Sequence, residues 1–388
     1  MPYIVDERPA APAEAGPGGQ RRWRYWIILS ALALGAVASV GTLAAAVGGF
    51  GRTAAPPATH PANVAGGGTG VVSVTPSTGR IRRGPSLPEV NGIADGMGSL
   101  WLTGGDAGHD HVLYAISPTT SRVEARFYLP SRLVINPNDI AVGDGSAWVA
   151  AGADVYRIEP QKARSGAAVA RAFASLPQGG LIGDVAVDAG GLWATDTTNG
   201  RVYRFAVSTG RLDAVIPVGI TAGAMAVGAG GVWVANSDAH TVSRINAADN
   251  RVDSVVTIPG VPSHIAASAS GLWVTDGTGS VVTVPAGEPH RLVRVQVGGQ
   301  LTGVAATGET VWVADTAHGT LYRIDARRHM IVGMVPVGAR PYAVAVDRQT
   351  VWVALLGRPM MMRAPAAASQ SSSTAGLLGW LERLCGVK

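Results

Sequence analysis

A tryptophan that returns seven times at nearly constant spacing limits the fold of this chain more sharply than any other feature. Trp101, Trp148, Trp193, Trp233, Trp273, Trp312 and Trp352 sit in runs such as "GLWVTDGT" and "TVWVADTA", with successive gaps of 47, 45, 40, 40, 39 and 40 residues. A period near 40 residues marks a repeat architecture in which each unit is one supersecondary element. One unit, residues 262–299, reads "PSHIAASASGLWVTDGTGSVVTVPAGEPHRLVRVQVGG". It holds four β-rich runs, 264–267, 272–275, 280–284 and 292–297, divided by Gly, Asp and Pro clusters that turn the chain. No stretch of residues 70–364 keeps an apolar helical period. The expected fold class is therefore all-β: a seven-bladed β-propeller with one four-stranded blade per unit.

Strand parity explains the composition of the second strand. In "VWVAD", Val311 and Val313 face one way while Trp312 and Ala314 face the other. Both faces are apolar, so both must be covered, as they are in a blade held between two neighbours. The seven Trp read as packing residues that fill the wedge between blades. Innermost strands end in an aliphatic-Ala pair seven times, from Ile93-Ala94 to Val344-Ala345. The outermost type also occurs seven times, but its first copy, "GRIRRG", precedes the first inner strand. Residues 71–84 are therefore expected to complete the last blade, whose inner strands are 343–346 and 350–355, and so remove an open edge. "RPMMMRAPA" at 358–366 competes for the same slot.

Residues 26–50 contain no charged side chain. A helix of that length reaches about 37 Å, enough for a hydrocarbon core of about 30 Å. Arg21, Arg22 and Arg24 precede it and only Arg52 follows closely. The positive-inside rule then keeps the N-terminus cytoplasmic and sends the propeller outside the cytoplasm. A cleaved signal peptide is the competing reading, since "LAAAV" offers an Ala-x-Ala site, but the apolar run is longer than a signal h-region of about 7–15 residues. The expected organisation is a disordered cytoplasmic tail over 1–25, a transmembrane signal anchor over 26–50 and a flexible linker over 51–70. The propeller follows over 71–364, then a Ser/Ala linker and a short amphipathic helix over 365–388. In that last segment Leu377, Leu378, Leu381 and Leu384 share one helical face.

Charge and cysteine content exclude other classes. The net charge is +5, but part of it lies in the flanking segments, and the propeller carries no basic run of the kind that binds nucleic acid. Cys385 is the single cysteine, so neither a disulfide framework nor a cysteine metal site forms within one chain.

The default ligand site of a propeller is the face where its channel opens. Aligning the inner strands puts Gly92, Asp139, Asp184, Ala224, His264, Gly303 and Ala343 in one column at that mouth. The column one residue earlier is Asn91, Asn138, Gly183, Gly223, Ser263, Thr302 and Tyr342. Repeat geometry does not require Asp139, Asp184 or His264, so they are candidate binding residues, with Tyr342 beside them. Three positions after each Trp come Gly104, Ala151, Asp196, Asn236, Asp276, Asp315 and Leu355. Asp and Asn there read first as caps that bond the amides of their own hairpin turn, and Asp276 also as a binding candidate.

The pattern "GLWVTDGTGSVVTV" with "PSHIAAS" resembles the streptogramin lyase (virginiamycin B lyase) and YVTN-type propeller superfamily over about residues 71–360. The resemblance implies a histidine at the channel mouth, matched by His264, and carboxylates that hold Mg²⁺. The family's glutamate after the Trp strand is replaced by aspartate here, at Asp196, Asp276 and Asp315. Two functions follow. One is a membrane-anchored, extracytoplasmic module that binds a small polar ligand or a cell-surface protein without catalysis. The other is a Mg²⁺-dependent lyase or lactone hydrolase using His264 with Asp139, Asp184 or Asp276. The first is the principal reading, with no metal assigned.

Overall fold

The computed structural model describes residues 70–356 apart from 107–108, 130–139, 161–171, 189, 289–290, 339 and 348–349. The expected segments 1–25, 26–50 and 365–388 lie outside the described residues, as does nearly all of the linker 51–70. Within the described part the chain forms 28 β-strands and no helix, grouped into seven antiparallel four-stranded sheets. Six sheets take four consecutive strands. In the third blade these are β11 (Ile182–Val187), β12 (Gly191–Asp196), β13 (Arg201–Ala206) and β14 (Leu212–Pro217). The other innermost strands are β3 (Gly92–Gly96), β7 (Ile140–Gly143), β15 (Ala222–Gly228), β19 (Ile265–Ser268), β23 (Leu301–Thr307) and β27 (Pro341–Val346). Each packs on the next around the ring, and β27 meets β3.

The last blade is built from both ends of the propeller. Its order is β27, β28 (Val351–Leu355), β1 (Gly70–Val74) and β2 (Ile81–Ser86). In the β1–β28 ladder Val72 faces Val353 and Ser73 faces Trp352. The N-terminal pair thus holds the third and fourth positions, while 358–366 lies outside the described residues. Gly70 sits at the entry with φ of 144°, and a Cβ there would stand 2.4 Å from the Pro85 carbonyl oxygen. Only glycine fits that bulged start.

Burial follows the parity argument. All seven repeat tryptophans are at most 4 % exposed. The buried apolar side chains fall into seven clusters, one for each gap between blades, instead of one central core. Trp148 fills the gap toward the third blade beside Leu192 and Tyr203, and Trp352 fills the gap toward the first beside Leu100 and Leu102.

An arginine on the third strand fastens several of these gaps. Arg157, Arg204 and Arg323 stand opposite Trp148, Trp193 and Trp312 in the ladders. The Arg204 guanidinium lies 4.8 Å from the Trp193 ring centre. It donates to the Ala247 carbonyl and to Asn250 Oδ1 of the next blade, both at 2.7 Å. Arg323 does the same across the closing gap, donating to the Pro76 carbonyl at 3.1 Å. Blade five has Thr283 at this position, and there the His329 ring of the next blade approaches Trp273 at 5.9 Å. Arg204→Ala removes a cation–π contact and two charge-assisted hydrogen bonds, so a loss of about 1–3 kcal/mol is expected in thermal or denaturant unfolding. Arg211→Ala is the control. Its side chain is 77 % exposed and pairs with Asp213 at the surface, so a change within about 0.5 kcal/mol is expected.

Candidate functional site

The inner strands start at one end of the ring, and their first residues enclose a cavity of about 430 Å³ at the axis. That volume lies in the range of small-molecule sites, about 300–1,000 Å³. Every described member of the first alignment column lies on its wall: Gly92, Asp184, Ala224, His264, Gly303 and Ala343. Asn91, Ser263, Thr302 and Tyr342 of the neighbouring column line it as well. Repeat geometry turns a sequence column into a common height around the axis. Asp139 and Asn138 lie outside the described residues.

His264 has the most unusual surroundings. Its backbone N–H donates to Thr275 Oγ1 at 3.1 Å, and Thr275 Oγ1 also meets Ser263 Oγ at 2.9 Å. These bonds fix the loop just before β19. His264 lines the cavity, and its Nδ1 is buried without a hydrogen-bond partner. The residue as a whole keeps some solvent exposure, but protein surrounds most of the ring. That burial lowers the imidazole pKa from 6.5 to about 4, so the ring is neutral at pH 7. A histidine whose proton affinity falls on folding binds fewer protons in the native state. It therefore costs stability as pH falls from 6.5 toward 4. His264→Gln is expected to flatten the pH dependence of the melting temperature across that window, as read by thermal melts at closely spaced pH values.

Tyr342 reaches the same place from the seventh blade. The His264 and Tyr342 rings stand edge-to-face, with centroids 6.4 Å apart and planes at 86°. Gly303 permits this approach from the blade between them, because a Cβ there would lie 2.6 Å from the Tyr342 carbonyl oxygen. Thr302 is already engaged, meeting Thr316 Oγ1 at 2.6 Å and donating to the Pro341 carbonyl at 3.1 Å.

Asp184 has a different task. Its carboxylate Oδ2 accepts the Met225 N–H of the next inner strand at 2.5 Å, and the residue is 6 % exposed. Its own N–H donates to Thr195 Oγ1 at 2.9 Å, and that hydroxyl donates to the Gly223 carbonyl. Asp184 thus ties blade three to blade four while standing at the cavity wall.

Asp276 is absent from the wall. Its fully buried carboxylate turns into its own hairpin, where Oδ1 accepts the N–H of Thr278 at 2.9 Å and of Ser280 at 3.1 Å. Oδ2 has the Arg294 guanidinium at 3.0 Å as an ionic contact. Asp196 and Asp315 cap their hairpins in the same way, through the amides of Thr198 and Asn199 and of Ala317 and His318. The lyase pattern needs these positions at the mouth for Mg²⁺. Among the described residues they are committed to turns, and no group of three or more His, Cys, Asp or Glu side chains is placed to hold a metal ion. The described residues do not fit a Mg²⁺ site.

Asn91 adds a residue whose type alone does not distinguish it within its column. Its backbone N–H donates to the Thr103 carbonyl at 2.8 Å, and its side-chain Nδ2 is buried with no partner. Two residues of the wall, Asn91 on blade one and His264 on blade five, thus each carry a buried nitrogen without a partner.

No protein-family model and no curated protein matches the chain. Solved structures do. Streptogramin B lyase aligns over 74 % of this chain and 95 % of its own, at 13 % identity and a TM-score of 0.60. Hydrazine synthase from Kuenenia stuttgartiensis aligns over 68 % of this chain and 91 % of its own, at 11 % identity and a TM-score of 0.56. The chain is a seven-bladed β-propeller related in fold to streptogramin lyase-like proteins.

Proposed function

We propose that this chain is a membrane-anchored, extracytoplasmic binding module whose propeller takes a small polar ligand at the channel mouth. The observation that carries this reading is a cavity of about 430 Å³ at the channel mouth whose wall holds the polar residues Asn91, Asp184, Ser263, His264, Thr302 and Tyr342. A binding role is favoured over lyase chemistry because Asp196, Asp276 and Asp315 serve their own hairpins and Asp184 serves the Met225 amide. The uncharged run at 26–50, with arginines concentrated before it, supports the anchor and the outward orientation.

Two experiments test the two halves. His264→Ala in the full chain is expected to weaken any ligand found by a thermal-shift screen of neutral, anionic and cationic small molecules. The expected loss is about 1–3 kcal/mol of binding free energy, the cost of removing one hydrogen-bond partner in a desolvated site. Unaltered affinity would move the site elsewhere. For the anchor, protease added to intact cells is expected to digest the propeller and leave a membrane-bound N-terminal stub. A mature secreted form starting after the apolar run would refute it.

A further inference from the structure

The outer rim of the closing blade carries charge of one sign. Arg80, just before β2, and Arg82 and Arg83 within it are exposed, and among the described residues none of the three forms an ion pair. The chain on either side of the propeller adds to this excess: residues 51–69 contain Arg52, residues 357–376 contain Arg358 and Arg363, and neither stretch contains an acid. The neighbouring rim is apolar instead. The outermost strand of blade six, β26 (Met330–Pro336), has no charged residue, and its Met330, Val332 and Met334 are 51 %, 42 % and 63 % exposed. Sheet edges are usually blunted by charge, so a bare apolar one calls for a covering partner.

The strand ladders turn the two rims toward one gap. Residues directly opposite each other in a ladder share a face of the sheet. Val72 and Val74 pack in the gap between blades six and seven, so their partners Arg83 and Ile81 lie on that side. Leu321 of β25 (Thr320–Asp325) packs in the same gap and pairs with Val335. Met330 faces the same way, because it pairs with Asp325, four residues along β25 from Leu321. The turn after β1 meets β26 there: a Cβ on Gly79 would stand 3.8 Å from Val335 Cγ2, and Arg323 donates to the Pro76 carbonyl.

Unpaired arginines beside exposed Met and Val match the chemistry of an anionic lipid surface. Apolar side chains enter the boundary between headgroups and acyl chains while arginines meet the phosphates. The entry point of the chain favours the same partner. Nineteen residues separate Phe50 from Gly70, the first residue of β1. A flexible linker of that length spans roughly 25 Å, which holds the closing blade near any membrane that residues 26–50 enter. The C-terminal segment suits the rim less well, since its Arg383 and Lys388 outnumber Glu382 and repeat the sign of the rim. We propose that the rim of blades six and seven is a lipid-contact surface, which seats the propeller on anionic headgroups of the membrane that holds its own N-terminal segment. This seating rests on the membrane anchor at 26–50.

The test places the full chain in lipid nanodiscs, one set of phosphatidylcholine and one of phosphatidylcholine mixed with phosphatidylglycerol, and follows amide hydrogen exchange by mass spectrometry. Slower exchange over 80–86 and 330–336 is expected in the anionic discs alone, with the outer strands of blades three and four unchanged. Each arginine near an anionic surface strengthens the contact about fivefold, so Arg80→Gln, Arg82→Gln and Arg83→Gln combined should abolish the protection. Should that triple variant fail to fold, wild-type discs at about 1 M salt replace it, since a Debye length of about 3 Å should remove the protection equally. Equal exchange in the two lipids, or protection that survives the loss of charge, overturns the seating while the anchor stands. Protection given by soluble polyglutamate and not by anionic discs would assign the rim to an acidic protein and overturns it as well. A chain that fails to enter either disc overturns the anchor. Flotation with anionic vesicles then reads the rim alone: binding that the triple variant loses supports it, and binding that is absent or unchanged overturns it.

Discussion

Removal of residues 70–86 is expected to abolish the cooperative unfolding transition of the propeller. Those residues supply β1 and β2, the outer half of the last blade. Every residue of β1 is buried, with Val71, Val72 and Val74 at 3 %, 4 % and 0 % exposure. At roughly 1.5–3 kcal/mol per fully buried valine, these three side chains contribute on the order of 5–9 kcal/mol. That alone rivals the whole stability of a typical domain, about 5–15 kcal/mol. The clusters on both sides of the last blade would lose members, and Arg323 would lose its acceptor on Pro76. β28 would become an exposed edge with an apolar face, so aggregation should accompany the loss. Circular dichroism melts and size-exclusion chromatography of the truncated chain check this. A truncated chain that melts like the intact one would mean that 358–366 can replace β1.

Asp276→Ala is the second large effect, and it separates a turn cap from a ligand contact. The carboxylate is fully buried, accepts two backbone amides and the Thr278 hydroxyl, and faces the Arg294 guanidinium. Truncation leaves those donors in a closed turn without an acceptor, at a cost of about 3–5 kcal/mol. Gly260 packs against the Asp276 backbone, which leaves little room for water to enter as a substitute. Unfolding in urea should show the loss as a lower midpoint with an unchanged slope. Ligand affinity of the folded variant should match the wild type, because Asp276 does not line the cavity. Lost affinity with intact stability would return Asp276 to the site.

These two cases also separate what is legible in the sequence from what is not. Blade number and strand count follow from the spaced tryptophans, because a strand apolar on both faces has to lie between two covering sheets. The column of Gly92, Asp184 and His264 was readable as a ring at the mouth because a repeat preserves height. The caps at Asp196, Asp276 and Asp315 were readable from their place three residues after the Trp, because the amides they bond lie only a few residues on. The use of Asp184 was not readable, since it accepts the Met225 amide of a neighbouring blade, tens of residues away. Asn91 shows the same limit, since its unpartnered amide is defined by what fails to surround it in space. Closure by β1 in preference to 358–366 also needed three dimensions, as strand parity alone accepts either segment.

The central claim is that a ligand occupies the channel mouth beside a neutral His264. Long-range nitrogen–proton NMR of the His264 ring tests it most directly, first by pH titration and then by addition of the molecule that the thermal-shift screen returns. The account predicts a titration midpoint near 4, far below the ordinary 6.5, and a shift of the ring-nitrogen resonances as the cavity fills. A midpoint near 6.5 together with ring-nitrogen resonances that no ligand moves would contradict it.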